Sequence, residues 1–263
     1  MTSFDKLINE IDGINFGPKP KTARNVLMYS GYANHLDDPV PIARAYAAAA
    51  LFEGHYKHVY RNDLVAGSLY GLFVRGPEAD SFDAPANETA KNFGSNTFWT
   101  GVDHFAPDYE VPLADGVGGM LNKIINSREK FIVKNKNNEY DKNIVFLNSA
   151  GIAMKAYSNM IDGYGSAARE LSEKTEDEVQ IKNLRRIAEA CDQIKTKPPR
   201  TFFEALQLVW LTHAAFLYEG RYAMALGRMD QFLYPFYRRD IDAGVLSRDE
   251  ALDLLKRVFI KII

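Results

Sequence analysis

His104 lies in the segment WTGVDHFAPDYE, with Asp103, Asp108 and Tyr109 beside it. An imidazole titrates near neutral pH, so a histidine here can donate to a substrate oxygen or move a proton. On spacing alone a structural role is the simpler reading. Glu53, His55 and His58 form a second cluster. Spacing of three sets both imidazoles on one helix face, but no further acidic or thiol partner recurs at ligand spacing. A solvated helix end is the expectation, with no metal. Cys191, in IAEACDQI, has Glu189 and Asp192 nearby, and both oppose a thiolate. It reads as a small buried hydrophobe.

Gly67, Gly71 and Gly76, and separately DGVGG at 115–119, lack the spacing of a phosphate-binding loop that follows a strand. Gly116, Gly118 and Gly119 read instead as a sharp entry turn and a close helix contact. The last candidate is GRMDQFLYPFYRRD at 227–240. Arg228 and Asp230 can form a structural ion pair there, with Phe232, Tyr234, Phe236 and Tyr237 docking a tight, half-buried connection around Pro235.

The elements that position these residues are mostly helical. PIARAYAAAALFEG, from Pro41, has strong helix formers and no internal proline, and Gly54 ends or kinks it. NDLVAGSLYGLFVRG suggests a short strand pair, and the following stretch to Asp115 reads as long ordered loops. Two long helical patterns follow Gly116 and are separated near 135–143, and another runs from Glu176 to Ile194. Pro198 and Pro199 forbid its continuation. Thr201 then opens a helix that is apolar around its whole circumference, which belongs in an interior. Glu204 is placed to reach back to Thr201, and S-R-D-E at 247–250 forms a second capping box.

Composition bounds the possibilities. The chain has 263 residues, 46% hydrophobic and 25% charged, enough to bury the core of one large domain or two small ones. A formal net charge of −2 offers no electrostatic attraction to nucleic acid or an anionic membrane, and small molecules remain as partners. One cysteine excludes an internal disulfide and fits a reducing, cytoplasmic location. No basic, apolar leader and no membrane-length apolar run is visible. The final VFIKII is apolar without a stop signal, so the expectation is that this end packs against polypeptide outside the sequence.

Taken together, KPPRTFFEALQLVWLTHAAF and LGRMDQFLYPFYRRDIDAGVLSRDEALDLLKRVFIKI resemble the glycyl radical enzymes, the pyruvate formate-lyase-like family. TARNVLMYSGYANHLDDPVPIARAYAAAALFEG, NDLVAGS, DHFAPDYEVPLADGVGGMLNKI and GYGSAARELSEKT extend that resemblance over almost the whole chain, in family order. It implies one domain over 1–263, the N-terminal part of a ten-stranded α/β barrel, built here mainly of helices with few short strands. In such enzymes a glycyl radical near the C-terminus generates a thiyl radical on a mid-chain cysteine, which abstracts hydrogen from substrate. Both residues are expected outside this chain, so no catalytic residue is expected within it.

The resemblance also implies site residues. His104 takes the position that faces substrate oxygen in dehydratase-like members, and Tyr222, Ala223 and Met224 border the same pocket. Where those members carry a hydroxyl, this chain has Ala223 or Ala225, so a less polar pocket is expected. Arg228 and Asp230 are expected to support the adjoining turn rather than touch substrate. Implied partners are the remaining portion of the enzyme or a complementary chain, a radical-SAM activating enzyme, a small-molecule substrate and a second copy in a homodimer. The alternative is a helical binding or scaffold protein derived from the family without radical chemistry.

Overall fold

The computed structural model describes residues 2–14, 23–72, 104–134 and 141–262. Among the described residues the chain is helical: α1 (Ser3–Asp12), α2 (Arg24–Ala33), α3 (Val40–Gly54), α4 (Glu110–Lys134), α5 (Lys142–Glu173), α6 (Glu178–Ile194), α7 (Phe202–Tyr218), α8 (Met229–Phe232), α9 (Tyr234–Asp242) and α10 (Arg248–Phe259). α3 packs on α2 and α5, and α5 in turn on α4 and α6. α7 runs through the centre. It is buried from Phe202 to Leu211 without a break, and again at His213, Ala214, Ala215, Leu217 and Tyr218. Apolar side chains stand on every face of it, and each large one buried contributes on the order of 2 kcal/mol of transfer free energy, so every face seeks cover.

The boundaries follow local chemistry. Thr201 Oγ1 accepts from the Glu204 N–H at 3.1 Å, as a cap should. The Glu204 carboxylate does not return to Thr201; it accepts from the Arg200 N–H at 2.6 Å and from the Arg200 guanidinium at 2.7 Å. The arginine side chain outcompetes a reciprocal box by offering a charged second donor. At Ser247 the full box forms, with Oγ accepting from Glu250 N–H and the Glu250 carboxylate from Ser247 N–H. α6 begins two residues later than its pattern suggests because Asp177 caps it through the Val179 and Gln180 amides.

Gly116, inside α4, has φ 67° and ψ 165°, and the helix kinks there. A Cβ at Gly116 would lie 2.5 Å from the Lys197 carbonyl carbon and 2.5 Å from Pro198 N, so the expected entry turn and close contact are both present.

The strand pair expected in NDLVAGSLYGLFVRG is corrected over its described part. Leu69–Leu72 is a 3₁₀ turn, and the residues before it form turns, bends and irregular backbone with no strand. The backbone there bonds to side chains of α7 instead. Gln207 Oε1 accepts from Ala66 N–H at 2.8 Å and its Nε2 donates to Ala66 O at 2.9 Å. Trp210 Nε1–H donates to Gly67 O at 2.9 Å and the Tyr218 hydroxyl to Ser68 O at 3.1 Å. A side-chain amide imitates the donor and acceptor of a neighbouring strand, so this backbone is satisfied without a sheet. Residues 73–103, which hold Gly76, Asp103 and most of the expected long loops, lie outside the described residues.

The C-terminal helix is tied to the same segment. Lys261 Nζ pairs with Asp63 Oδ2 at 2.6 Å, with side chains 2% and 1% exposed, and also donates to Val65 O. Arg257 donates to Asn62 O and Ser3 Oγ, both at 2.6 Å. Within VFIKII, Val258 is buried while Phe259 and Ile262 are exposed.

Candidate functional site

α7 ends at Tyr218, and Gly220 at φ 93° turns the chain back along the helix end. The residues that follow meet the segment after His104. Phe105 and Met224 form an isolated parallel β-bridge, with Ala225 N–H donating to Phe105 O at 3.0 Å. Among the described residues this is the only backbone pairing of strand type. It joins two segments that the sequence singled out separately.

The 104–109 segment is held at both ends. The Phe105 ring packs edge-on against Phe216 at 5.5 Å. Tyr109 is buried, and its hydroxyl shares a hydrogen bond of 2.7 Å with His213 Nδ1 on α7. Burial lowers the pKa of His213, which favours the neutral ring that can accept from Tyr109 through Nδ1. Burial also raises the Tyr109 hydroxyl, so it stays a donor. The Tyr109 ring lies 5.5 Å from Phe232, and Asp108 Oδ1 accepts from Glu110 N–H at 3.1 Å to start α4.

His104 is exposed on this frame, as are Tyr222, at 64%, and Ala223; Met224 is half-buried and packs on the core. The bridge thus sets the His104 segment beside Tyr222, Ala223 and Met224. Arg228 and Asp230 lie on the next turn, after Gly227 at φ 65°, 3.6 Å apart and 70% and 72% exposed. An exposed pair at that distance contributes between nothing and about 1 kcal/mol. The connection is held more firmly by buried Asp240, whose Oδ2 accepts from Phe202 N–H at 2.7 Å, and by buried Leu233.

The other candidates resolve as structure. His55 is buried, not at a solvated helix end: Nδ1 bonds Leu51 O at 2.8 Å and Nε2 the Tyr164 hydroxyl at 3.2 Å. Burial, and then the charge of Lys57, pull its pKa down to about 3. His58 is half-buried among Tyr56, Tyr60 and Tyr70. The chain turns out of α3 at His55, so the helical spacing that would have aligned the two rings ends there. Among the described residues no group of three or more metal-ligating side chains comes together. Cys191 is fully buried, and burial pushes its thiol up, with Asp192 and Asp162 adding to the effect.

His213 and the buried Lys261–Asp63 pair were not singled out by sequence reasoning. A lone histidine inside the apolar run of α7 was the available signal for the first, since a polar group there must find a partner.

The chain matches the family model described as "Pyruvate formate lyase-like" over residues 79–263. The chain belongs to this family. It is 37% identical over 117 residues to trans-4-hydroxy-L-proline dehydratase of Clostridioides difficile, covering 44% of this chain and 15% of that one. It is 30% identical over 173 residues to (2S)-3-sulfopropanediol dehydratase of Klebsiella oxytoca, covering 65% and 21%. A solved glycyl radical enzyme from Archaeoglobus fulgidus superposes with a TM-score of 0.82 at 23% identity, covering 99% of this chain and 40% of that one. The helices described above are therefore a portion of that barrel fold. The aligned stretches cover only 15% and 21% of the two curated relatives, and the chain spans about two-fifths of the length of the solved enzyme it superposes on.

Proposed function

We propose that this chain supplies one wall of the substrate pocket of a glycyl radical lyase, dehydratase or decarboxylase that acts on a small organic molecule. The observation that carries the reading is the Phe105–Met224 bridge, which sets the His104 segment against Tyr222, Ala223 and Met224. His104 donates to, or exchanges a proton with, a substrate oxygen. Tyr222 and Met224 cover the less polar part of the substrate, and Ala223 leaves room without offering a hydroxyl. Arg228 and Asp230 shape the turn behind that wall.

The radical residues come from polypeptide beyond this chain, either the remainder of the enzyme or a complementary chain, and the chain alone has no turnover. Cys191 does not substitute, because its thiol is shut inside the α6 packing. A radical-SAM activating enzyme installs the radical, the complete enzyme works as a homodimer, and the reaction takes place in the cytoplasm. The dehydratase names of the two relatives support dehydration of a small hydroxylated molecule as the reaction class.

The test uses the complete enzyme, activated without oxygen and followed by electron paramagnetic resonance. H104A should keep the glycyl signal and the fold yet lower kcat/KM at least a hundredfold, the usual scale for a lost general acid or base. Turnover within threefold of wild type would overturn the assignment.

A further inference from the structure

Beside the bridge, between α3, α4, α5 and α7, lies a cavity of about 500 Å³. Phe52, Phe105, Tyr157, Phe216, Met120 and Met154 are the large aromatic and thioether side chains of its wall. His104, Tyr222 and Met224 do not line it. Phe105, Ala106, Pro107 and Asp108 line it together, so the boundary between this cavity and the substrate wall falls between His104 and Phe105. The volume falls within the range of small-molecule sites.

Its polar groups narrow the occupant. Tyr157 and Thr212 bond each other at 2.7 Å, and the Thr212 hydroxyl donates on to Leu208 O at 2.8 Å, so this end makes no call on a ligand. Among the described residues the charged side chains along the wall are Asp108 and Glu219, both acidic, while Arg24 and Arg221 stand outside the lining but near enough to act on Glu219. Asp108 is partly committed to the start of α4 through Oδ1. Burial raises the Glu219 carboxyl, while Arg221 and Arg24 oppose that rise. A cation entering the cavity adds to the stabilisation of that carboxylate. Aromatic faces and thioethers favour a ring in the body of the cavity, and rings close to a cation attract it directly.

We propose that this cavity is a second binding site, distinct from the substrate wall, for an aromatic amine: an apolar ring held among Phe52, Phe105, Phe216 and the two methionines, with its ammonium group toward Glu219 and Asp108.

The seven methionines allow a direct test on the chain itself. Met120 and Met154 line this cavity, Met224 sits at the bridge, and Met229 lines a separate groove between α8, α9 and α10. With methyl-labelled methionine, phenethylamine should shift the Met120 and Met154 signals saturably and leave Met229 in place. Phenylacetate, the same ring with the opposite charge, should bind at least about tenfold more weakly, or 1.4 kcal/mol. E219Q should narrow that gap while toluene binding persists, and A153F, at a partly exposed position on the wall, should abolish all three shifts. Equal binding of amine and acid, shifts confined to Met224 or Met229, or no saturable shift of Met120 and Met154 would each overturn the proposal. Should a variant fail to fold, the comparison of amine with acid on the wild-type chain decides alone. A failure here leaves the His104 reading intact, because that site is read by turnover.

Discussion

Replacing Tyr109 by Phe tests whether the His104 segment is held from α7. The hydroxyl bonds His213 Nδ1 at 2.7 Å, with the two residues 1% and 2% exposed. Removing it deletes one hydrogen bond and strands a buried imidazole nitrogen, which together cost about 2 kcal/mol. For a chain of this size that corresponds to a melting temperature lower by roughly 4–8 °C. H213L strands the tyrosine hydroxyl instead and should cost a similar amount. In the double variant both partners are gone and no polar atom is left orphaned. It should be more stable than the sum of the single losses by at least about 1 kcal/mol. Urea unfolding followed by tryptophan fluorescence measures all four proteins, Trp210 lying 5.9 Å from His213. Hydrogen exchange adds a local reading: the Ala225 amide, bonded to Phe105 O, should exchange faster in Y109F. Additive losses, or a Y109F variant as stable as wild type, would refute the anchoring argument.

Three further outcomes follow from buried and exposed charge. His55 is held neutral down to about pH 3 by burial, whereas an unfolded histidine titrates near 6.5, so the unfolded state takes up the extra proton first. Its contribution to stability is complete above about pH 6.5 and is lost as pH falls toward 3. At pH 5 about 2 kcal/mol should be gone relative to pH 7, and H55L should remove that part of the slope in chemical denaturation. K261M leaves Asp63 buried without its cation and should cost about 3–5 kcal/mol by thermal unfolding, with D63N added to it restoring part of the loss. R228A breaks only an exposed pair 3.6 Å long and should leave the melting temperature of this chain within about 4 °C of wild type.

Much of the fold was determined by the sequence alone. The apolar circumference of α7 could only be an interior helix, Pro198 and Pro199 had to interrupt the chain before it, and Ser247 with Glu250 had to cap α10. These are local effects, set by residues within four positions of one another. The family motifs were legible for the same reason, as contiguous strings.

The tertiary structure decided what depended on distant partners. The Ala66 backbone bonds Gln207 from 141 residues away, so a segment with strand-like composition became an edge satisfied by side chains. His55 passed from an expected solvated helix end to a buried, neutral ring that bonds the Tyr164 hydroxyl, 109 residues later. At the site, His104 and Tyr222 to Met224 were each readable as candidates, but their juxtaposition was not. It rests on one bridge and on the Tyr109–His213 bond, and neither leaves a periodic trace because each partner is chosen by the path of the chain through space.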